Sequence, residues 1–162
     1  MTKFLLAVHV IAAILAIGPV TVAASMFPPA ARRAMASPDD PRATETVRLL
    51  HRICRVYATV GVVVPVFGFA TASSMGVLGD AWLIVSIALT ALAALVLVAL
   101  VLPRQSALLE AGGGSSGVAG DGAGDRVREA TVRLAMFTGI FNVLWAVVTV
   151  LMIVRPGSTT GA

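Results

Sequence analysis

The sequence predicts an all-α fold, a four-helix transmembrane bundle that forms a single integral membrane domain over residues 1–162. Hydrophobic residues make up 58% of the chain and charged residues 12%, whereas ordinary soluble domains carry roughly 25% charged residues. The mean hydropathy is +0.95. The apolar residues also fall in four blocks, each long enough to cross the hydrocarbon core, which takes ~20 residues of helix. These observations exclude a disordered chain, a solenoid and an ordinary soluble enzyme.

The four blocks place the predicted spans at about residues 4–27, 56–78, 81–102 and 134–154. The first block is longer than the ~7–15-residue apolar region of a signal peptide. Because Arg32 and Arg33 follow it closely, we expect it to be retained as a span. Cys54 is the only cysteine of the chain, which excludes an intrachain disulfide and a cysteine-based zinc site.

The basic residues predict how the spans are oriented. The first and third connections hold Arg32, Arg33, Arg42, Arg48, Arg52, Arg55, Arg104, Arg126, Arg128 and Arg133. Only Lys3 and Arg155 lie elsewhere. The positive-inside rule therefore predicts two basic cytoplasmic loops and both termini outside, in a multi-pass protein of the bacterial plasma membrane. Basic residues that flank apolar blocks are topology signals, so we expect no nucleic-acid partner.

The two cytoplasmic loops differ in composition. Asp40 suits a helix N-cap and Pro41 the first helical position, and we expect that helix to run without a break into the second span. Residues 111–124 include seven glycines, which predicts a flexible linker. Asp125 is expected to cap a second helical overhang that leads into the fourth span.

The arginines beside the spans are candidate contacts for anionic lipid head groups, at ~1 kcal/mol each. These residues are Arg32, Arg33, Arg48, Arg52, Arg55, Arg126, Arg128 and Arg133. A membrane protein partner is the alternative occupant of this surface. Gly68, Ala72 and Gly76 recur every four residues, and such small residues let helices approach closely, either within the chain or in a homodimer.

His9 is the only ionisable side chain well inside a span, about 8 Å past Phe4 at 1.5 Å per residue. An intramembrane ionisable group is a functional hypothesis by default, and a neutral imidazole can ligate haem iron or copper. The alternative is a structural histidine that hydrogen-bonds to a neighbouring helix. His51 lies at the cytoplasmic side, where we expect a solvated or lipid-facing side chain. The two histidines would then lie on the order of 30 Å apart, too far to share one haem.

Pro19 and Pro65 lie inside the first and second spans and are expected to kink them, because proline leaves the carbonyl four residues back without its helical donor. The freed carbonyls would be those of Leu15 and Gly61, with the hydroxyls of Thr21 and Thr59 nearby. Asn142 is a polar residue within the fourth span. We expect it to hydrogen-bond across helices, at ~1 kcal/mol, with a substrate contact as the alternative.

No Asp or Glu lies within any predicted span. This disfavours acid–base catalysis inside the bilayer and ion-driven transport, so we predict that the protein is not an enzyme. The leading hypothesis is a non-catalytic accessory, scaffold or lipid-binding component of the inner membrane with no cofactor. The alternatives are a haem- or copper-binding protein that uses His9, and a small passive transporter gated at Pro19 and Pro65.

Two stretches resemble a known bacterial family. Residues 4–13, FLLAVHVIAA, resemble the opening of the predicted integral membrane proteins of domain of unknown function 2269, and residues 141–156 resemble its close. The resemblance implies the four-span architecture and no molecular role. The Ala-, Val- and Arg-rich composition resembles that of actinobacterial proteins. The chain is more weakly similar to small membrane proteins of haem biosynthesis and copper resistance, which also open with a histidine followed by small and apolar residues. Residues 14–19 lack the tryptophan that those proteins carry in the comparable stretch.

Overall fold

In a computed structural model, which describes residues 2–113 and 123–157, every regular element is a helix. Four helical stretches in these residues are long and apolar enough to cross a membrane: Thr2–Ala36, Pro41–Met75, Ala81–Gly112 and Gly124–Val154. The predicted all-helical fold with four candidate spans is therefore confirmed. Large apolar side chains on the outer surface, such as Phe4, Leu95 and Val143, are 61–71% exposed, as a surface that faces lipid requires.

Six α-helices and one π-helical segment make up the described chain. They are α1 (Thr2–Ala36), α2 (Pro41–Val60), α3 (Val63–Met75), α4 (Ala81–Leu95), the π segment (Val96–Val101), α5 (Leu102–Gly113) and α6 (Ala123–Val154). The helical stretches extend well beyond the predicted spans at the end of the bundle where α1 leads to α2 and α5 approaches α6. We call this end the arginine-rich end, because ten of the twelve basic residues lie in these connections and the adjoining helix ends.

The start of α2 and its continuation into the second span agree with the prediction. Asp40 is the N-cap, its Oδ1 accepts from the N–H of Arg42 at 3.0 Å, and Pro41 is the first helical residue. α2 runs without a break from Pro41 through Arg55 into the predicted second span, and the helix is interrupted within that span, between Val60 and Val63. Pro65 accounts for this break, since it offers no N–H to the carbonyl of Gly61 and a regular α-helix cannot run through it undisturbed.

The third span contains a π-helical segment that the sequence analysis did not predict. The N–H of Leu102 donates to the carbonyl of Leu97, five residues back. This wider spacing fits Pro103, which has no N–H for the carbonyl of Ala99. The helix therefore continues through Pro103 into α5 and carries Arg104 and its neighbours beyond the predicted end of the span.

The predicted glycine-rich linker at 111–124 is partly helical. Residues 111–113 belong to α5 and residues 123–124 to α6, while the rest of the linker, 114–122, lies outside the described residues. Asp125 lies in the first turn of α6, so its prediction as the N-cap of this helix is wrong. A carboxylate in the first turn still interacts favourably with the positive end of the helix dipole.

The bundle is closed in one half and open in the other. In the closed half, next to the arginine-rich end, all four helical stretches share one core: Val20, Ala23, Ala24, Phe27, Ala31, Val47, Leu50, Cys54, Ala93, Val96, Leu97, Val101, Leu108, Leu134 and Phe141. In the open half, α3 packs mainly on α1 and α4 mainly on α6, with few contacts between α3 and α4 among the described residues. The buried apolar cluster of the described residues is small there and consists of Ala72, Trp82 and Leu83. The two helix pairs therefore leave a space between them.

Candidate functional site

That space is a cavity of about 1610 Å³ between α1, α3, α4 and α6. Its lining is mostly apolar and includes both tryptophans of the chain, Trp82 and Trp145. The polar side chains that line it are His9, Thr21, Thr71, Thr90, Asn142, Thr149 and Arg155. Three of the threonines donate to carbonyls of their own helices. The remaining polar groups of the lining are therefore few and widely spaced.

His9 projects from α1 onto α3 and is only 9% exposed. Its Nδ1 lies 2.9 Å from the carbonyl oxygen of Val64. A carbonyl oxygen can only accept a hydrogen bond, so Nδ1 carries the proton, and in the neutral ring Nε2 then carries a lone pair. Nε2 makes no hydrogen bond with any residue that the structure describes. In that form the site presents one hydrogen-bond acceptor, Nε2, beside the apolar cavity.

Gly68 makes the close approach of His9 to α3 possible. A Cβ atom placed on Gly68 would lie 2.8 Å from Cε1 of the imidazole and 3.2 Å from Nδ1, distances that a real side chain cannot tolerate without movement. Of the predicted small-residue stripe, Gly68 therefore faces α1 and Ala72 is buried within the chain. Gly76 ends α3 with a φ of 70°, a left-handed conformation that glycine adopts without steric cost.

Trp82, Asp80 and Arg155 form the rim of the cavity at the end where α4 begins and α6 ends. The indole Nε1 of Trp82 donates to Oδ2 of Asp80 at 3.0 Å, and the Arg155 guanidinium lies 5.7 Å from the centroid of the Trp82 ring. Arg155 follows α6 with a positive φ of 45°. These contacts connect the end of the fourth span to the start of the third.

Asn142 lies at the opposite end of the cavity, near the closed half. Its Nδ2 donates to Oγ of Ser25 at 3.2 Å, which links α6 to α1. Its Oδ1 and the hydroxyl oxygen of Thr138 are buried without a partner among the described residues. His9 and Ser25 are 16 positions apart on one helix, roughly 24 Å at 1.5 Å per residue. The imidazole of His9 and the amide of Asn142 are therefore far apart along the cavity.

A second polar cluster is buried in the closed half. His51 is 9% exposed, so its prediction as a solvated or lipid-facing residue is wrong. Its Nδ1 lies 3.0 Å from Oε1 of Gln105, and its Nε2 lies 3.4 Å from Oγ of Ser106. Gln105, which is fully buried, also points its Nε2 at Sγ of Cys54 at 3.6 Å. The ring of Phe27 meets the imidazole edge-on, with ring centroids 6.5 Å apart.

The spacing of apolar residues in α2 indicates that His51 is buried. The buried residues of α2 are Val47, Leu50, His51 and Cys54, which follow the i, i+3, i+4, i+7 spacing of a core-facing helix stripe. His51 therefore belongs to the buried face, whereas Arg48, Arg52 and Arg55 do not. No comparable signal identifies Gln105, because a single amide just after Pro103 and Arg104 is typical of a helix that leaves the membrane.

The predicted lipid-contact arginines lie on the surface of the described chain. Arg32, Arg33, Arg48, Arg52, Arg55, Arg126, Arg128 and Arg133 are all exposed, and Arg133 pairs with Glu129 at 2.6 Å. Arg104 is missing from that prediction. It is half-buried, lies 4.3 Å over the ring of Phe137, and donates to the carbonyl of Leu100. Arg104, Arg126 and Arg133 line a groove of about 450 Å³ between α5 and α6.

The two predicted kinks differ. Pro19 lies inside α1, which continues past it, while Pro65 lies close after the α2–α3 break. The carbonyl of Gly61 was expected to be free, but it accepts from the N–H of Val64 at 3.1 Å. Thr59 donates instead to the carbonyl of Arg55. Pro65 therefore leaves no free carbonyl at Gly61 to coordinate a ligand.

Comparisons with known proteins identify a family and no closer relative. A family model described as a predicted integral membrane protein, DUF2269, matches residues 3–156. No curated protein and no solved structure matches the chain. The family carries no assigned activity, so any role has to be argued from the cavity, the buried cluster and the arginine-rich groove.

Proposed function

The chain belongs to the DUF2269 family of predicted integral membrane proteins, and we propose that it is a non-catalytic membrane protein that binds a lipid-like amphiphile in its cavity. The observation that carries the proposal is the 1610 Å³ space between the α1–α3 and α4–α6 pairs. Pockets for drug-sized ligands measure about 300–1,000 Å³. A larger, mostly apolar space within the spans fits a molecule with long hydrocarbon chains.

The side chains of the lining support binding rather than chemistry. His9 and Arg155 are the ionisable groups of the described lining, and no carboxylate is among its residues. Acid–base catalysis needs a proton donor and acceptor positioned about one reacting centre, whereas His9 and Asn142 lie at different depths. An apolar ligand instead gains free energy from every part of its surface that the lining covers.

Filling the cavity tests this proposal. Ala91 of α4 lines the cavity, whereas Ala88 is exposed on the same helix outside it. Ala91→Phe is expected to lower the amount of lipid that co-purifies with the protein in nanodiscs, measured by native mass spectrometry. Ala88→Phe is the matched control and should retain the wild-type amount. Equal retention by both variants would contradict binding in the cavity.

A haem protein is the second candidate function, and the geometry of His9 favours it. Metal-ligating histidines usually donate one ring N–H to a carbonyl or carboxylate and bind the metal through the other nitrogen. His9 has this arrangement with Val64. Copper is less well supported, because the described residues contain no group of three His, Cys, Asp or Glu side chains that could hold a metal ion. A Soret band that shifts on dithionite reduction and disappears in His9→Ala would establish the haem candidate.

We also propose that the arginine-rich end is cytoplasmic, so that both termini lie outside a bacterial plasma membrane. The connectivity brings the α1–α2 connection and the approach of α5 to α6 to this same end. The positive-inside rule assigns such an end to the cytoplasm. The cavity would then lie in the outer half of the bilayer.

The groove between α5 and α6 supports anionic lipid head groups as partners at this end. Arg104, Arg126 and Arg133 surround it, Glu129 adds one negative charge, and Leu108 contributes apolar surface. Basic pockets between spans on the cytoplasmic side are typical of sites for phospholipid head groups. A membrane protein partner or a second copy of the chain would compete for this surface.

A further inference from the structure

We infer that the amphiphile in the cavity is an uncharged alcohol whose hydroxyl group donates a hydrogen bond to Nε2 of His9. The inference rests on the proposed function and specifies its ligand class. Three features of the site support this ligand class: the tautomer of His9, the charge of its surroundings and the depth at which it lies.

The tautomer determines which polar group fits. Nδ1 of His9 donates to the carbonyl oxygen of Val64 at 2.9 Å, so the neutral ring presents Nε2 as an acceptor. An alcohol supplies the O–H donor that this lone pair lacks. A ligand with only ketone, ether or ester oxygens would set its own lone pairs against Nε2, and both acceptors would then remain unpaired in an apolar site.

The charge of the lining disfavours an ionised head group at His9. Arg155 is the one permanent cation among the described residues of the lining, and it lies at the rim over Trp82. A carboxylate or phosphate beside His9 would lose its hydration without a cation to replace it, which is strongly unfavourable in an apolar environment. An uncharged hydroxyl carries no such cost.

The depth of His9 suits the end of a long molecule. The ring lies against Gly68, seven positions before α3 ends at Met75, which is roughly 10 Å along the helix. The site therefore lies below the rim, within the apolar part of the cavity. A ligand that places its hydroxyl there keeps its hydrocarbon chain within the same cavity, as an isoprenoid or other long-chain alcohol can.

The test compares geranylgeraniol with its methyl ether, in which a methyl group replaces the hydroxyl hydrogen and removes the hydrogen-bond donor. Binding to the full-length protein in nanodiscs can be followed through the fluorescence of the chain's two tryptophans, both of which line the cavity. We expect the alcohol to bind about tenfold more tightly than the ether, which corresponds to one typical hydrogen bond.

Two variants test whether the preference for the alcohol depends on the imidazole of His9. His9→Phe removes the acceptor and is expected to bind alcohol and ether equally. Gly68→Ala, which forces the imidazole from its place, should also reduce the preference for the alcohol over the ether. The elution profile in size-exclusion chromatography shows which variants remain folded. If His9→Phe does not fold, Gly68→Ala tests the same preference.

The outcomes separate this inference from the proposed function. Equal binding of alcohol and ether to the wild-type protein would overturn the hydroxyl assignment and leave binding in the cavity intact. A Soret band in the protein as purified would also overturn it, because Nε2 would then ligate iron. Failure of both probes to bind would overturn this inference, and it would overturn the proposed function as well if Ala91→Phe and Ala88→Phe also retain equal amounts of lipid.

Discussion

Nδ1 of His51 lies 3.0 Å from Oε1 of Gln105, which joins α2 to α5 inside the closed half of the bundle. Both side chains are buried among apolar residues, Gln105 completely. A buried amide or imidazole without a partner loses its hydration uncompensated. The pair is therefore expected to determine the register in which the second and third spans pack.

Removing either member of this pair should destabilise the protein. Gln105→Leu leaves His51 without its main partner, and His51→Leu does the same to Gln105. We expect each change to lower the free energy of unfolding by about 1–3 kcal/mol. The double variant should lose less than the sum of the single losses, measured by denaturant unfolding in detergent. Strict additivity would show that the contact does not couple α2 to α5.

Adding one methyl group at Gly68 should be costly. The new Cβ would lie 2.8 Å from Cε1 of His9, so the ring or the α1–α3 packing has to shift, typically at about 1–3 kcal/mol. Gly139→Ala in α6 is the control, because a Cβ there meets nothing within 4 Å, and it should stabilise its helix by roughly 0.5–1 kcal/mol. Thermal unfolding of the two variants should therefore shift in opposite directions.

The helix cap at Asp40 should contribute measurably to stability. Asp40→Ala removes the acceptor for the N–H of Arg42, and we expect a loss of about 1 kcal/mol, as for other N-caps. Asp39→Ala removes an exposed neighbour that does not cap the helix. Denaturant unfolding should show no comparable loss for this control, and similar losses at both positions would argue against the cap.

Cysteine labelling should report the orientation of the spans. Cys54 is fully buried and can be replaced by serine to give a background without thiols. Ser37→Cys lies between α1 and α2, and Gly79→Cys lies between α3 and α4. A membrane-impermeant maleimide should label Gly79→Cys in intact cells and Ser37→Cys only after lysis. The reverse pattern would place the arginine-rich end outside.

Charge in the groove between α5 and α6 should affect which lipids co-purify. Arg126→Gln is expected to reduce bound phosphatidylglycerol about fivefold, in line with ~1 kcal/mol for one arginine near anionic head groups. Arg48→Gln changes an exposed arginine outside the groove and controls for net charge. Lipid analysis of the two purified variants measures the phosphatidylglycerol bound to each. An equal reduction of bound phosphatidylglycerol in both variants would indicate a general charge effect without a site in the groove.

Local sequence predicts the spans and the start of α2 correctly, but it does not place every side chain correctly. The blocks of apolar residues predict the spans because hydropathy and length are local properties, and Asp40 with Pro41 predicts a helix start for the same reason. The arginines on either side of His51 favour a surface position for it, and the structure shows that this prediction is wrong. The stripe formed by Val47, Leu50 and Cys54 was the better guide, since burial follows the helix face rather than adjacent positions.

The sequence by itself determined that this is an all-helical protein with four stretches able to span a membrane, and it pointed to the family. Only the tertiary structure decided that the spans close around His51 and Gln105 in one half and separate around a cavity beside His9 in the other. The physical reason is that hydropathy and helix formation depend on neighbours along the chain. The pairing of α3 with α1 and of α4 with α6 depends instead on contacts between distant residues, such as His9 with Val64 and Gly68.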